Sequence, residues 1–272
     1  SPELQNRIKK IINNDLIELK EDFKIYWEEF PIAKLLPGKD YLKPEFSLII
    51  DDMIDTSEQK KLQVFLEKWI NKKINLILKS LIDLKNYKDN KSNIRALAYQ
   101  LYENNGVIKR EDVIDYTKAL DQKERKILRD IGVKFGRYHI YLHKLLKPEA
   151  VSLRLILWKN FHQKYFDFKP PTFGLNFLES NKSLNKNFML ICGFEKFDNL
   201  FVRIDILERL FMQIINSNTD GKNEIMLVPE MLNLLGCSED NFVKLIKAMS
   251  YKSYKKENKL YFKYFPVKRK IF

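Results

Sequence analysis

The sequence predicts a mainly α protein: a helical array with a small N-terminal β element and a C-terminal winged-helix-like unit of helices plus a β-hairpin. Three observations lead there. Apolar residues recur at three- and four-residue spacing through the middle of the chain, the period of a helix that buries one face. Phe23, Ile25 and Trp27 alternate with charged residues, the period of a half-buried strand. Beyond residue 201, helix signals give way to strand, polar turn, strand.

Each element follows in order. Residues 3–13 suit a short helix. Residues 16–50 read as a small β-containing element, punctuated by Pro31, Pro37-Gly38 and Pro44. Residues 57–84 predict a long amphipathic helix, with Leu62, Phe65, Leu66, Trp69, Ile70, Ile74, Ile77, Leu78 and Leu81 on its apolar side. A helix from Ser92 or Asn93 runs to about Glu103 and stops at Asn104-Asn105-Gly106. Residues 110–119 and 121–131 predict two more, the second opened by Asp121 and Glu124 in capping-box spacing. Gly132 and Gly136 bracket a bend. Residues 148–166 predict a further helix, with Pro148 at its start. Pro170-Pro171 opens a stretch without a clear period, to about Asn187. Then come helices over Val202–Ile215, Pro229–Leu235 (stopped by Gly236) and 239–249 (capped by Ser238), and a hairpin over 252–262. No internal repeat of fixed period is visible. The expected domains are 1–55 (β-containing), 56–169 (helical), 170–200 (connecting) and 201–272 (winged-helix-like).

Composition bounds the function. The chain has 272 residues, 45% of them hydrophobic, which suffices for a sizeable core and excludes wholesale disorder. No apolar run is long enough to span a bilayer, and the expected location is cytoplasmic. Two cysteines exclude a disulfide scaffold and a four-cysteine zinc site. The start, Ser1-Pro2-Glu3-Leu4, has no initiator Met and no signal-peptide pattern, so a processed protein or a piece of a longer one is expected. The net charge of +13 favours anionic partners, nucleic acid first. That charge is mostly Lys, and a chain with 22 Asn, 28 Ile and 6 Ala has the usage of an AT-rich genome, so clustering decides more than total charge.

The catalytic motifs are absent: no phosphate loop, no dinucleotide-binding turn, no nucleophile elbow. Asp51 and Asp52 end an apolar run but have no phosphate loop to serve, and read as a helix or loop terminus. His139 and His143 have metal-ligand spacing and share a face if 137–145 is helical, yet no third ligand is suggested. His162 and Cys192 read as packing residues. Cys237 either packs or is slightly acidified by the adjoining helix terminus. No metal is expected.

The basic clusters rise above this background. From Lys244 to Phe272 there are ten Lys or Arg and one acid, Glu257, so that segment holds +9 of the +13. Its members include Lys244, Lys247, Lys252, Lys255, Lys256, Lys259 and Lys263, interleaved with Tyr251, Tyr254, Tyr261, Phe262, Tyr264 and Phe265. Lysines attract phosphates and aromatics stack on unpaired bases; alternatively, the aromatics are the hairpin's core and the lysines solvate it. A second cluster is Lys109-Arg110, Lys123, Arg125, Lys126, Arg129, Lys134 and Arg137. Arg110, Lys134 and Arg137 are its candidate nucleic-acid-binding residues, beside glycines that let a backbone come close.

Four segments carry a resemblance: Asn93-Ile-Arg-Ala-Leu-Ala-Tyr-Gln-Leu-Tyr-Glu-Asn-Asn-Gly106; Leu128-Arg-Asp-Ile-Gly-Val-Lys-Phe-Gly-Arg137 continued by Leu145-Leu-Lys-Pro148 and Leu153-Arg-x-x-Leu-Trp158; Val202-Arg-Ile-Asp-Ile-Leu-Glu-Arg-Leu210; and Leu234-Leu-Gly-Cys-Ser238. In order, they resemble the region that follows the motor in alphaproteobacterial superfamily 2 helicases, similar to the RNA helicase of the mitochondrial degradosome. The resemblance runs from about Tyr26-Trp27 to the hairpin near 260 and departs around His139–His143. It implies a C-terminal accessory region of an ATP-dependent helicase. This region would not itself be an enzyme, because ATP and Mg would be bound by motor domains of the parent chain.

The expected function is non-catalytic nucleic-acid binding and scaffolding, with a single strand of RNA (or DNA) guided from the motor domains by backbone contacts. The alternative is a protein-interaction platform docking a nuclease, a ribosome-associated partner or the helicase core, favoured by any exposed aromatic patch around Phe161, Tyr165, Phe166 and Phe168. A free-standing winged-helix regulator ranks third, since helix 239–249 offers Asn241, Lys244 and Lys247 but no Arg. A stand-alone enzyme ranks fourth.

Overall fold

The computed structural model describes residues 2–13, 16–49, 55–89, 92–218 and 220–266. Asp51 and Asp52, and the basic residues Lys268, Arg269 and Lys270, lie outside the described residues. In chain order the elements are α1 (Pro2–Ile12), β1 (Ile17–Leu19), β2 (Lys24–Trp27), β3 (Phe30–Leu36), β4 (Glu45–Leu48), α2 (Thr56–Ile77), α3 (Lys79–Lys85), α4 (Ser92–Glu103), β5 (Val107–Lys109), α5 (Ile114–Lys118), α6 (Gln122–Ile131), β6 (Val133–Phe135), β7 (His139–Leu142), α7 (Pro148–Phe161), β8 (Phe177–Glu179), α8 (Lys186–Ile191), β9 (Phe194–Phe197), β10 (Leu200–Arg203), α9 (Ile204–Ser217), β11 (Glu224–Met226), α10 (Pro229–Leu235), α11 (Glu239–Ala248), β12 (Tyr251–Lys256) and β13 (Lys259–Tyr264).

The chain divides into two compact units, each built from two stretches: 1–82 with 148–169, and 83–147 with 170–272. In the first, β1 to β4 form an antiparallel sheet in sequence order. The predicted long helix breaks once, at Leu78 (φ −105°, ψ 28°), into α2 and α3. Asp55 caps α2 by accepting from the Ser57 N–H at 3.4 Å. Leu62, Leu66, Ile70 and Ile74 form the buried stripe of α2, which packs on α1 and α7. Polar groups tie α7 to the sheet: Asn160 Nδ2 donates to the Leu36 carbonyl at 3.1 Å. The buried Arg154 donates through Nε to the Tyr41 hydroxyl at 3.4 Å.

In the second unit a continuous core joins Phe177, Phe197, Leu200 and Val202 to Ile206, Leu207, Leu210 and Ile214 of α9, and on to Met231, Phe242, Leu245, Ile246 and Phe262. Each such side chain contributes roughly 1.5–3 kcal/mol on full burial. The capping signals hold: Asp121 and Glu124 make a reciprocal capping box, and the Ser238 hydroxyl accepts from the Asn241 N–H at 3.2 Å.

The mainly α helical array is overturned. Among the described residues about 50% are helical and 21% are strand, arranged in four small antiparallel sheets. Most of the unexpected strands are three or four residues long. β7 is buried along its whole length, and β9 at all but one residue. Such strands show no alternation, so periodicity does not separate them from buried helix. His139 therefore lies on strand β7 and His143 opens a short 3-10 turn, not one helix face.

A second finding is repetition without a sequence period. The order helix, strand, helix, helix, strand, strand occurs as α4–β5–α5–α6–β6–β7 and again as α9–β11–α10–α11–β12–β13. In each the sheet order places the last strand in the middle: β5-β7-β6 and β11-β13-β12. The sheet β8-β10-β9 shares that order. The side chains filling these repeats differ, because volume and patterning constrain a core more than identity does.

Candidate nucleic-acid interface

Strands β12 and β13 pair Tyr251↔Tyr264, Lys252↔Lys263, Ser253↔Phe262, Tyr254↔Tyr261, Lys255↔Leu260 and Lys256↔Lys259. The turn, Glu257-Asn258, has positive φ at both residues (53° and 62°), as a two-residue hairpin loop of this hand requires. Side chains alternate between the faces. One face carries Phe262, fully buried and edge-on to Phe242 of α11 at 5.6 Å. Ser253, Leu260, Tyr251 and Tyr264 share that face by register.

The opposite face holds Lys252, Lys263, Lys256 and Lys259 in two directly opposed pairs. Between them Tyr254 and Tyr261 stack, with ring centroids 6.1 Å apart and planes 15° from parallel. Lys252, Lys256 and Lys259 are exposed, Lys263 is half-buried, and Tyr254 is 38% exposed. Like charges opposed across a ladder destabilise a hairpin, and an anion relieves that repulsion. The third strand adds Met226 beside Tyr261, and Glu224 beside Lys263. The Glu224 carboxylate accepts from the Tyr254 hydroxyl.

The predicted site residues therefore divide. Lys252, Lys256, Lys259 and Lys263 share a face. Lys255 lies on the other, paired with Leu260. Lys244 and Lys247 are exposed one turn apart on α11. Lys134 is exposed on β6, paired with Tyr141. Much of the second cluster serves the fold. Arg125 donates to the Thr117 carbonyl at 2.8 Å, and Arg125 and Arg129 lie 5.3 and 5.7 Å from the Phe135 ring. Arg110 Nη1 donates to the Gly136 carbonyl at 3.0 Å, while Arg137 is exposed.

Sequence reading missed what holds Arg137 in place. The Glu208 carboxylate, on α9, accepts backbone N–H bonds from Arg137 (2.6 Å), Tyr138 (3.0 Å) and His139 (2.6 Å). Glycine at 136 is the condition for this. A Cβ there would lie 2.5 Å from the Glu208 carboxylate and 2.7 Å from the His139 carbonyl. The close approach expected at this glycine is thus made by a side chain 72 residues away. The segments 128–137 and 202–210, two carriers of the resemblance, meet at this clamp.

His139 completes it. The ring is fully buried, with Nε2 3.4 Å from Glu195 and Nδ1 3.5 Å from Glu208. Neither ring nitrogen has hydrogen-bond alignment, so the contacts are close-range ion pairs when the ring is protonated. Burial disfavours the imidazolium most strongly, yet Glu195 and Glu208 together outweigh it and raise the pKa above its ordinary value. Burial likewise raises Glu195, but His139, Lys109 and Lys186 outweigh it and lower its pKa; Lys109 Nζ lies 3.8 Å away. The only sequence hint of Glu208 was a carboxylate on the apolar side of a helix.

Among the described residues no group of three or more His, Cys, Asp or Glu is placed to hold a metal ion. The His143 Nδ1 lies 3.2 Å from the Gly132 carbonyl. His162 packs 4.9 Å from the Trp158 ring, and burial and then Lys164 lower its pKa. Burial pushes the Cys237 thiol up to about 11, opposite to an acidified cysteine. No helix among the described residues is long and apolar enough to cross a membrane. Comparison with protein-family models, with curated proteins and with solved structures finds no match for this chain.

Proposed function

We propose that this chain is a non-catalytic nucleic-acid-binding region that guides a single strand, RNA before DNA, as the C-terminal accessory region of an ATP-dependent helicase. The observation that supports it is the outward face of the hairpin: two opposed lysine pairs flanking a stacked tyrosine pair. Lysines at that spacing attract successive phosphates, and the tyrosine rings offer sequence-tolerant stacking. Lys244 and Lys247 are exposed on α11, the helix that packs on the hairpin's other face. Contacts of this kind position a strand without reading base edges.

Fluorescence anisotropy with labelled single-stranded RNA, the matching DNA and both duplexes, at two salt concentrations, tests the reading. Binding should be steeply salt-dependent and lost in a variant with Lys→Glu at 252, 256, 259 and 263. Lys255→Glu, on the other face, should retain most of it. Absence of binding at low salt would falsify the reading and favour a protein-docking platform. For that second reading Phe166 remains 61% exposed. Its neighbours are used within the fold: Tyr165 stacks on Trp158 at 4.9 Å and Phe168 lies 5.0 Å from Tyr165.

A further inference from the structure

At the open end of the hairpin, on the face away from the lysine pair 252/263, the structure has a cavity of about 380 Å³. Its walls include Arg110, Arg137, Tyr138, Phe211, Tyr251 and Tyr264. Tyr138 stacks on Phe211 with centroids 5.1 Å apart and planes 11° from parallel. Tyr251 and Tyr264 sit 5.2 Å apart. Two guanidinium groups thus border an aromatic cleft, and guanidinium stays charged at any physiological pH. One carboxylate, Glu111, also lines it.

The wall is held in place before any ligand arrives. Glu208 fixes the backbone at Arg137 and Tyr138, and Arg110 is anchored on the Gly136 carbonyl. The cavity lies at the small end of the range for small-molecule sites and combines apolar rings with a few polar groups, as such sites do. Aromatic faces with paired guanidinium groups match one chemistry: a flat heteroaromatic base joined to a phosphate. Tyr251 and Tyr264 lie on the hairpin face opposite Lys252 and Lys263, so a strand on the lysine face reaches this cavity by turning round the open end of the hairpin.

We infer that the cavity is a nucleotide pocket that takes one unstacked base against Tyr138, Tyr251 and Tyr264, with its phosphate on Arg137 and Arg110. The inference rests on the strand-guiding reading and adds a position along the strand where the base itself counts. A nucleotide within a strand and a free nucleotide share this chemistry.

The test uses the whole chain and a labelled ten-nucleotide RNA carrying one abasic site at each position in turn. Loss of the base at one position should weaken binding about tenfold, the others much less. That dependence should disappear in Arg137→Gln/Tyr264→Ala, whose replaced side chains are exposed and whose melting temperature serves as the folding control. Adenosine, guanosine and uridine monophosphates, titrated alone, separate the sources. Saturable binding that Arg137→Gln/Tyr264→Ala removes, without base dependence in the strand, assigns the pocket to free nucleotides. If abasic sites act uniformly, monophosphates do not bind, and the four-lysine variant still loses the RNA, the pocket is overturned while the surface stands. If the RNA does not bind at all and monophosphates do not either, both are overturned.

Discussion

His139 shows how a single buried residue sets the pH response of the fold. The imidazole pKa is raised in the folded state, so its favourable contribution is complete below the ordinary value of 6.5 and is lost as pH rises through the folded value. The Glu195 pKa is lowered, so its contribution is present above the ordinary 4.5 and is lost as pH falls through the depressed value. The cluster therefore supports folding most between those two values. His139→Gln removes the group shared by Glu195 and Glu208, leaving Lys109 beside Glu195 and three backbone N–H donors on Glu208, and should destabilise by about 3 kcal/mol. Thermal melts from pH 5 to 9 should lose the alkaline decline in that variant. An unchanged decline would mean that other groups cause it. Gly136→Ala pushes a methyl into the Glu208 carboxylate and a backbone carbonyl. A cost of about 1–3 kcal/mol in denaturant unfolding is expected; a neutral result would show that the clamp gives way cheaply. Neither residue announces this role in the sequence, because its partners, Glu195 and Glu208, lie 56 and 69 residues away from His139.

At the scale of elements, the hairpin is where charge, register and turn chemistry meet. A non-glycine residue in the left-handed region is strained, and Glu257 and Asn258 both occupy it. Replacing the pair by Asn-Gly, the preferred sequence for this turn, should raise the melting temperature by about 2–4 °C, from roughly 1 kcal/mol. Glu257 is also the one acid among the ten basic residues of 244–272, so the same variant should bind RNA more tightly. A tighter complex with an unchanged melting temperature would separate the charge effect from the turn effect. The lysines and tyrosines of this hairpin were legible in the sequence. Their faces became explicit with the register: a shift of one residue would have exchanged the faces of Lys255 and Lys256.

For the whole molecule, the distribution of charge matters more than its sum. The stretch 244–272 holds +9 and the other residues hold +4, so association should follow local phosphate neutralisation. Four lysines on one face predict that log Kd changes with log salt by about 0.7 per phosphate neutralised on a single strand. Removing one lysine should lower that slope by about the same amount in an anisotropy titration. A slope insensitive to all four would place the contact elsewhere. The amino-acid order alone was enough for most of the helices and their caps, though not for α8 or the break at Leu78, because hydrophobic period, Asp121–Glu124 and Ser238 act within a few residues. The short buried strands, the repeated order of elements and the Glu208 clamp arise between distant segments. They follow from packing and hydrogen bonding across the chain, which local pattern does not encode.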